Sequence, residues 1–266
     1  MVPPGLVNTF GLLCNGDWGP AAVRTRRVAS TRPIVREVEA VIETTWREAL
    51  ARPGVHLFDG PMCRLERWTV PPDGSRLTLL YSDTSYKVFL GTNMTHPELG
   101  DRFGPNVLAN PIGVSPALES ADGFMLFGRR NQSVAYYPGR VHPFAGALEP
   151  RDGGDLFAAV RRELREELSL GDADVSEVRC TGLAQENALR QTEFIFRASC
   201  SLDRAEIERR LDREEHGGVV AVPATEVGVM KAFFEPELTP VARAALMLWW
   251  CARFGDDSGG WTRIAP

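Results

Sequence analysis

The sequence predicts an α/β fold in which a mixed sheet carries helices on both faces. Three observations support this fold class. Strand-like and helix-like segments intermix along the chain, no internal repeat is visible, and a chain of 266 residues with 44% hydrophobic residues can bury a substantial core. Within this plan we expect a smaller amino-terminal α+β segment, residues 1–115, followed by the main domain, residues 116–256.

The amino-terminal segment is predicted to contain a short strand with a loose arm, one helix and one hairpin. Apolar residues recur at helical spacing between Pro33 and Ala51, and proline suits the first turn of a helix. Two strand-like runs, Cys63–Val70 and Leu77–Ser82, flank the turn Pro72-Asp73-Gly74, which indicates a β-hairpin. A connection rich in Gly, Pro and Asn follows over residues 91–116.

The main domain is predicted to arrange strands and helices around one acidic helix. Gly123–Arg129 reads as a buried strand, and Ser133–Tyr137 is predicted to pair with it. After the acidic helix the predicted elements are the strands Val175–Glu186 and Glu193–Ser201, the polar helix Asp203–Arg213, the short strand Val219–Val222 and the closing helix Thr239–Phe254.

Charge and composition exclude several classes of protein. The net charge of -5 and the pI near 5.5 provide no basic surface for nucleic acid. The sequence shows no membrane span or signal peptide, so we expect a cytoplasmic protein without a membrane partner. The five cysteines form no CxxC pair, which argues against a zinc site. The oligomeric state stays open.

The acidic helix contains the most informative stretch, RRELREEL at residues 161–168. On a helix Glu163, Glu166 and Glu167 fall within roughly a 100° arc, so three like charges face the same way. One interpretation is a solvated face neutralised by neighbouring arginines through i,i+3 and i,i+4 pairs. The other is a site at which the three carboxylates surround a cation.

The context of this helix favours the second interpretation. The stretch FAGALEPRDGGDLFAAVRRELREELSL, residues 144–170, resembles the Nudix box, Gx5Ex7REUxEExGU with U an aliphatic residue. The second half of the box is matched by Arg162, Glu163, Leu164, Glu166, Glu167 and Leu170.

The first half of the box departs from the usual pattern. Gly154 stands where the box glutamate is expected, and Leu148 stands where the opening glycine is expected. Gly146 and Glu149 are the nearest substitutes, and they imply a loop two residues longer. Ser169 replaces the final glycine.

The resemblance implies a magnesium site on the acidic helix. Mg²⁺ prefers carboxylate and water oxygens and usually takes one or two protein carboxylates together with substrate phosphate. We expect Glu163 and Glu167 to be the metal ligands, with Mn²⁺ as a possible substitute for Mg²⁺. Glu166, or an acid from a later loop, is expected to accept the proton of the attacking water.

Four further stretches resemble the metazoan and plant Nudix branch that hydrolyses UDP-glucose and UDP-galactose. They are HLFDGPMCRL, TSYKVFLGTN, NPIGVSPALESADGFMLFGRR and GLAQENALRQTEFIF, at residues 56–65, 84–93, 110–130 and 182–196. The resemblance implies a Nudix αβα sandwich that cleaves UDP-sugars, as its small-molecule partners, to UMP and a sugar 1-phosphate.

The same resemblance implies substrate-binding roles for Phe58, Tyr86, Arg130 and Ala135. A position that is acidic in this branch is His142 here, so no role is transferred to it. Each assignment has a structural alternative: Phe58 as a core residue, Tyr86 as a loop anchor and Arg130 as a strand-end surface charge.

Two alternative functions stay open at this point. A Nudix hydrolase acting on another nucleoside diphosphate derivative, such as ADP-ribose, fits the helix equally well, because the metal site binds phosphate and not the base. A non-catalytic Nudix module that binds a nucleotide fits the missing box glutamate at Gly154. The strand-end acids Glu186 and Glu193 are weaker metal candidates, and the four histidines are expected to be surface or structural residues.

Overall fold

A computed structural model describes residues 9–53 and 57–255, which form two β-sheets and seven α-helices. The strands are β1 (Phe10–Trp18), β2 (Val23–Arg27), β3 (Pro61–Thr69), β4 (Leu77–Ser85), β5 (Ile112–Glu119), β6 (Phe124–Arg130), β7 (Val141–His142), β8 (Gly146–Ala147), β9 (Val175–Glu186), β10 (Gln191–Cys200) and β11 (His216–Pro223). The helices are α1 (Arg36–Leu50), α2 (Tyr86–Phe89), α3 (Leu99–Phe103), α4 (Leu156–Leu168), α5 (Arg204–Arg210), α6 (Glu226–Phe233) and α7 (Pro240–Phe254).

The large sheet has eight strands and is mixed. Its main order is β1-β9-β10-β5-β6-β11, with β7 paired to β6 and β8 paired to β5. Strands β5 and β10 are parallel, and the other pairs of this sheet are antiparallel. A smaller sheet has the order β2-β4-β3. The predicted α/β class with a mixed sheet is therefore confirmed.

Helices cover both faces of the large sheet, because adjacent residues of its central strands point into two different cores. Phe194 of β10 lies in a core shared with α4 and the small sheet, whereas Ile195 lies in a core formed with α6 and α7. Both side chains are fully buried. A central strand with both faces covered carries apolar residues continuously, as the run around these two positions does.

Helix α4 is fixed at both ends by its own sequence. At its start, the Asp155 carboxylate accepts hydrogen bonds from the amides of Phe157 and Ala158, at 2.8 and 3.1 Å. At its end, Ser169 adopts a left-handed conformation with φ 53°, and the Leu170 amide donates to Leu164 O at 3.2 Å. The left-handed geometry explains why the usual Nudix box has glycine at the position of Ser169.

The sequence-based prediction for residues 133–137 is wrong. These residues form an irregular loop, and β6 pairs instead with β7, where Gly128 lies opposite His142. The chain makes its turn around Gly139, whose φ of 73° suits glycine, and the Arg130 amide donates to Arg140 O at 2.9 Å.

Part of the loop predicted over residues 91–116 belongs to a central strand in the structure. Strand β5 contains Gly113 and Pro116, residues that weaken a strand pattern, yet it is buried along nearly its whole length. It crosses the predicted boundary at residue 115, and β1 from the amino-terminal segment forms an edge of the large sheet. The two-part division stays a prediction.

Within the described ranges, none of the helices combines the length and the apolar character needed to cross a membrane. The cytoplasmic location stays a prediction.

Candidate functional site

A cleft of about 400 Å³ lies between the amino-terminal segment and the large sheet. Three of the four residues predicted to bind substrate line it: Tyr86, Arg130 and Ala135. One end of the cleft is apolar and aromatic. At that end Tyr86 and Tyr136 pack on a small cluster around the buried ring of Phe89.

The fourth predicted residue, Phe58, does not line this cleft. Its side chain is 79% exposed, so the alternative of a core residue is wrong. Two residues further on, Gly60 O accepts a hydrogen bond from the Tyr86 amide at 2.9 Å, which keeps this segment beside Tyr86. A role for Phe58 in substrate binding stays a prediction.

A larger cavity, about 640 Å³, lies on the other face of the end of β10. Arg190 and Thr192 line that cavity, whereas Gln191 and Glu193 line the cleft, as expected for alternating residues of a strand. We place the site in the smaller cleft, because it contains three predicted substrate residues and borders the acidic helix.

Glu163 lies against the charged end of the cleft. It is 8% exposed, and its carboxylate packs on the backbone of Gly146, a residue that lines the cleft. The Arg162 guanidinium donates to Glu163 Oε1 at 2.7 Å and to Ala147 O at 2.9 Å. Burial raises the pKa of Glu163 to about 7, against the opposing effect of the Arg162 charge.

Glu167 is also buried, with 7% exposure, one helical turn after Glu163. Its Oε2 lies 3.1 Å from Nε2 of His216, a fully buried residue of β11. Burial raises the pKa of Glu167 well above its ordinary value, and the negative charge of Glu215 acts in the same direction. Burial, together with the Arg130 charge, lowers the pKa of His216 to about 4, so the imidazole is neutral near pH 7, and it shares a hydrogen bond with Glu167.

Glu166 differs from its two neighbours. Its side chain is 48% exposed and forms ion pairs with Arg162 at 3.2 Å and Arg151 at 3.4 Å. The interpretation as a neutralised helix face therefore describes Glu166, while Glu163 and Glu167 point into the protein. Glu163 contacts Gly146, which lines the cleft, and Glu167 contacts His216, the neighbour of the cleft residue Glu215, whereas Glu166 is half-exposed.

The donor set fits a divalent cation. Carboxyl oxygens of Glu167 and Glu215 and a ring nitrogen of His216 lie within 4.8 Å of one another. Glu163 Oε2 and Glu167 Oε1 accept no hydrogen bond from the residues that the structure describes. Burying two carboxylates without full pairing is costly unless a cation approaches them, and oxygen ligands are those that Mg²⁺ prefers.

The missing box glutamate has a structural reason. Gly154 has φ 81°, and a Cβ there would lie 2.5 Å from the Tyr81 hydroxyl oxygen, so no larger side chain fits. A carboxylate near this position comes instead from Asp152, which forms an ion pair with Arg162 at 3.0 Å. Glu149 forms a capping box with Asp152 and pairs with Arg151 at 2.9 Å.

Several residues of the site were not identified from the sequence. Glu215 and His216 come from β11 and the loop before it, and Gln191 lines the cleft beside Glu193, which the sequence indicates only as a weaker metal candidate. Both strand-end acids are buried: Glu186 is 2% and Glu193 6% exposed. The sequence offered one signal for His216, which stands at the start of the strand-like run HGGVV. Its partner Glu167 is 49 residues away in the sequence, so the contact could not be read from the local pattern.

We expect Gly146→Ala to disturb the carboxylate of Glu163 while leaving the fold intact. A Cβ at residue 146 would lie 1.9 Å from Glu163 Oε1, the end of a side chain that can move. Affinity for Mn²⁺, measured by electron paramagnetic resonance, should fall about tenfold, a size typical for disturbed ligand orientation. Gly171→Ala is the control, because its Cβ makes only an ordinary contact at 3.6 Å. Unchanged Mn²⁺ affinity in Gly146→Ala would contradict a metal role for Glu163.

Comparison with known proteins supplies the family. No family model matches the sequence. A human protein named uridine diphosphate glucose pyrophosphatase NUDT22 is 31% identical over 256 residues, which cover 82% of this chain and 83% of the relative. The Bos taurus protein of the same name is 30% identical over 82% of this chain and 87% of its own.

Solved structures give weaker similarity. A Nudix hydrolase from Nitrosomonas europaea is 19% identical, covers 53% of this chain and 89% of its own, and has a TM-score of 0.35. That score carries no weight in the assignment. The assignment rests on the long match to the human and bovine relatives, which shows that the chain belongs to the Nudix hydrolases of the NUDT22 type.

Proposed function

We propose that this enzyme hydrolyses the diphosphate of UDP-sugars, UDP-glucose and UDP-galactose, to UMP and a sugar 1-phosphate, with Mg²⁺ as cofactor. The observation that carries the proposal is the division of one cleft into an aromatic end and a charged end. Tyr86 and Tyr136 line the first, and Arg130 and Glu215 line the second, beside the buried carboxylates of α4. The curated relatives bear the name of a UDP-glucose pyrophosphatase, which supports this choice of substrate.

The aromatic end suits a nucleobase. Tyr86 contacts Phe89 and Trp46 edge to face, with ring centroids 6.4 and 6.3 Å apart, so its ring is held in place. A planar base can pack on such a wall with little loss of side-chain entropy. Ala135, also at the cleft, leaves room for the ligand beside Tyr136.

The charged end suits the diphosphate. Arg130 is only 10% exposed in its side chain, and its Nε donates to Tyr136 O at 2.8 Å, which leaves the two terminal nitrogens for phosphate oxygens. Glu163 and Glu167, with Glu215 and His216 nearby, would hold the cation. When bound, Mg²⁺ supplies neutralisation of charge on the phosphates and orientation of a water. Mn²⁺ is expected to substitute for it.

We assign the acceptance of the water's proton to Glu166. Its half-exposed carboxylate lies on the same helix as Glu163 and Glu167 and is held by Arg151 and Arg162. A positioned carboxylate that removes a proton contributes typically 10²- to 10⁴-fold to a rate.

A panel of nucleotide sugars tests the proposed substrate. With Mg²⁺ present we expect release of UMP from UDP-glucose and UDP-galactose, and much slower release of AMP from ADP-ribose, with chromatography as the readout. Activity restricted to adenine nucleotides would support the alternative Nudix substrate. Binding of UDP-glucose without cleavage would support the non-catalytic module.

A further inference from the structure

Two buried polar side chains of the cleft, Gln191 and Glu193, have no role in the reaction described above. Both lie on β10 and share a face of the large sheet, because alternate residues of a strand point the same way. Gln191 is 9% and Glu193 6% exposed, and both line the cleft. Polar groups buried this deeply need hydrogen-bond partners.

The neighbouring strand β5 fixes the carboxyl group of Glu193. Ser115, which is fully buried, donates to Glu193 Oε2 at 2.9 Å. Glu193 lies opposite Gly113 in the strand register, and a Cβ at residue 113 would lie 2.2 Å from both carboxyl oxygens. Glycine and serine at alternate positions of β5 therefore form a seat for this carboxyl group.

Glu193 in turn orients the amide of Gln191. Gln191 Nε2 donates to Glu193 Oε1 at 2.8 Å. This bond uses one N–H of the amide, and the second N–H and Oε1 have no partner among the residues that the structure describes. Burial raises the pKa of Glu193 to about 8, and the hydrogen bond from Ser115 opposes this shift. Because Ser115 donates to Oε2 and Gln191 donates to Oε1, both carboxyl oxygens act as acceptors.

The pair lies at the aromatic end of the cleft. Gln191 and Glu193 line the cleft together with Tyr86 and Tyr136, and the negative charges of Glu186 and Glu193 add to the effect of burial in raising the pKa of Tyr136. Tyr136 packs in the same cluster as Tyr86 and Phe89. Gln191 therefore borders the space assigned to the base, and Arg130 borders the space assigned to the diphosphate.

We propose that Gln191 reads the edge of the nucleobase and that Glu193 locks its amide in the orientation that selects uracil over cytosine. The inference rests on the proposed function, which places a uridine nucleotide in this cleft. Uracil offers a carbonyl oxygen and an adjacent N–H, which match the free N–H and Oε1 of Gln191. Cytosine offers the reverse, an amino group and an unprotonated ring nitrogen, and so meets donor against donor and acceptor against acceptor.

Two residues are needed because Glu193 fixes the orientation of the Gln191 amide. A glutamine free to turn its amide by 180° would accept either pyrimidine, since its donor and acceptor exchange places. Oε1 of Glu193 permits one orientation only. In Glu193→Gln the new amide can turn to donate or accept, so it releases the lock while keeping nearly the same shape and the contact with Ser115.

The test is equilibrium binding of UMP and CMP to the full chain without added metal, measured by calorimetry. We expect the wild type to prefer UMP by at least about tenfold, because a site that hydrogen-bonds a ligand edge rejects a ligand lacking it. Glu193→Gln should bind both within about threefold, at an unchanged thermal midpoint. Gln191→Ala should bind both weakly and without preference.

Glu186→Gln is the matched control. Glu186 is a buried carboxyl group on the neighbouring strand, where it accepts from the Leu189 amide at 2.7 Å and does not line the cleft. This variant should lower the thermal midpoint and keep the wild-type ratio of UMP to CMP affinity. A similar loss of preference in this control would mean general loosening and would overturn the proposal.

The outcomes separate this inference from the proposed function. Wild-type preference for UMP in both Glu193→Gln and Gln191→Ala would overturn the pair, even if UDP-glucose is hydrolysed. Loss of preference in these variants would support the pair, even if UDP-glucose is bound and not cleaved. A wild type that does not distinguish the two nucleotides would also overturn it.

Discussion

Glu163→Gln and Glu167→Gln are each expected to lower kcat for UDP-glucose about 10³-fold, which corresponds to about 4 kcal/mol of transition-state stabilisation. Both carboxylates are buried beside the charged end of the cleft, and glutamine keeps their shape while removing the charge that holds a cation. Steady-state release of UMP over a range of Mg²⁺ concentrations measures the effect. The Mg²⁺ concentration for half-maximal rate should rise as well.

Two further variants distinguish loss of the metal site from other effects. Glu208→Gln on α5 removes an exposed glutamate that is remote from the cleft, so its kcat should match that of the wild type. Glu166→Gln should lose about 10²-fold in kcat with an unchanged Mg²⁺ requirement, as expected of a proton acceptor. Wild-type activity in both Glu163→Gln and Glu167→Gln would show that the metal site lies elsewhere.

Arg130→Ala is expected to lower kcat/KM for UDP-glucose by about 10²- to 10³-fold. The guanidinium lies at the cleft, 3.9 Å from Glu215, with its terminal nitrogens near the place assigned to the diphosphate. Charge-assisted bidentate contacts to phosphate are among the stronger hydrogen bonds in proteins, and they strengthen as charge develops. Initial rates at subsaturating substrate give the value directly.

Arg130→Lys and Arg129→Ala are the comparisons. Lysine keeps the charge and loses the planar fork, so it should restore only part of the activity. Arg129 is the neighbouring strand-end arginine, 42% exposed in its side chain and paired with Glu237 at 2.9 Å, and its loss should change little. Equal effects at both positions would favour a general electrostatic role over a specific phosphate contact.

Local patterns were enough to predict most of the secondary structure. The helical spacing before Ala51 corresponds to α1, and the predicted strand Val175–Glu186 coincides with β9. These predictions succeeded because the pattern of apolar residues that indicates a helix or a strand is contained in one segment. The prediction failed at β5, whose glycine and proline are explained only by neighbours: Gly113 makes room for Glu193 of the adjacent strand.

The Nudix resemblance supplied three residues that line the cleft. It transferred no role to His142, which lines the cleft as well. This histidine is buried, its Nδ1 lies 2.9 Å from Thr239 Oγ1, and burial together with the Arg130 charge lowers its pKa well below the ordinary value. A neutral imidazole therefore lines this cleft.

By itself the sequence determined the helix, its caps and the spacing that puts three glutamates on one side of it, because these depend on residues within a few positions of one another. Only the tertiary structure decided which of the three are buried. Glu163 turns inward because Gly146 leaves space for its carboxylate, and Glu167 does so because it shares a hydrogen bond with His216, far along the chain. Burial depends on what the rest of the fold places against a side chain, and that information is spread over strands that meet only when the sheet forms.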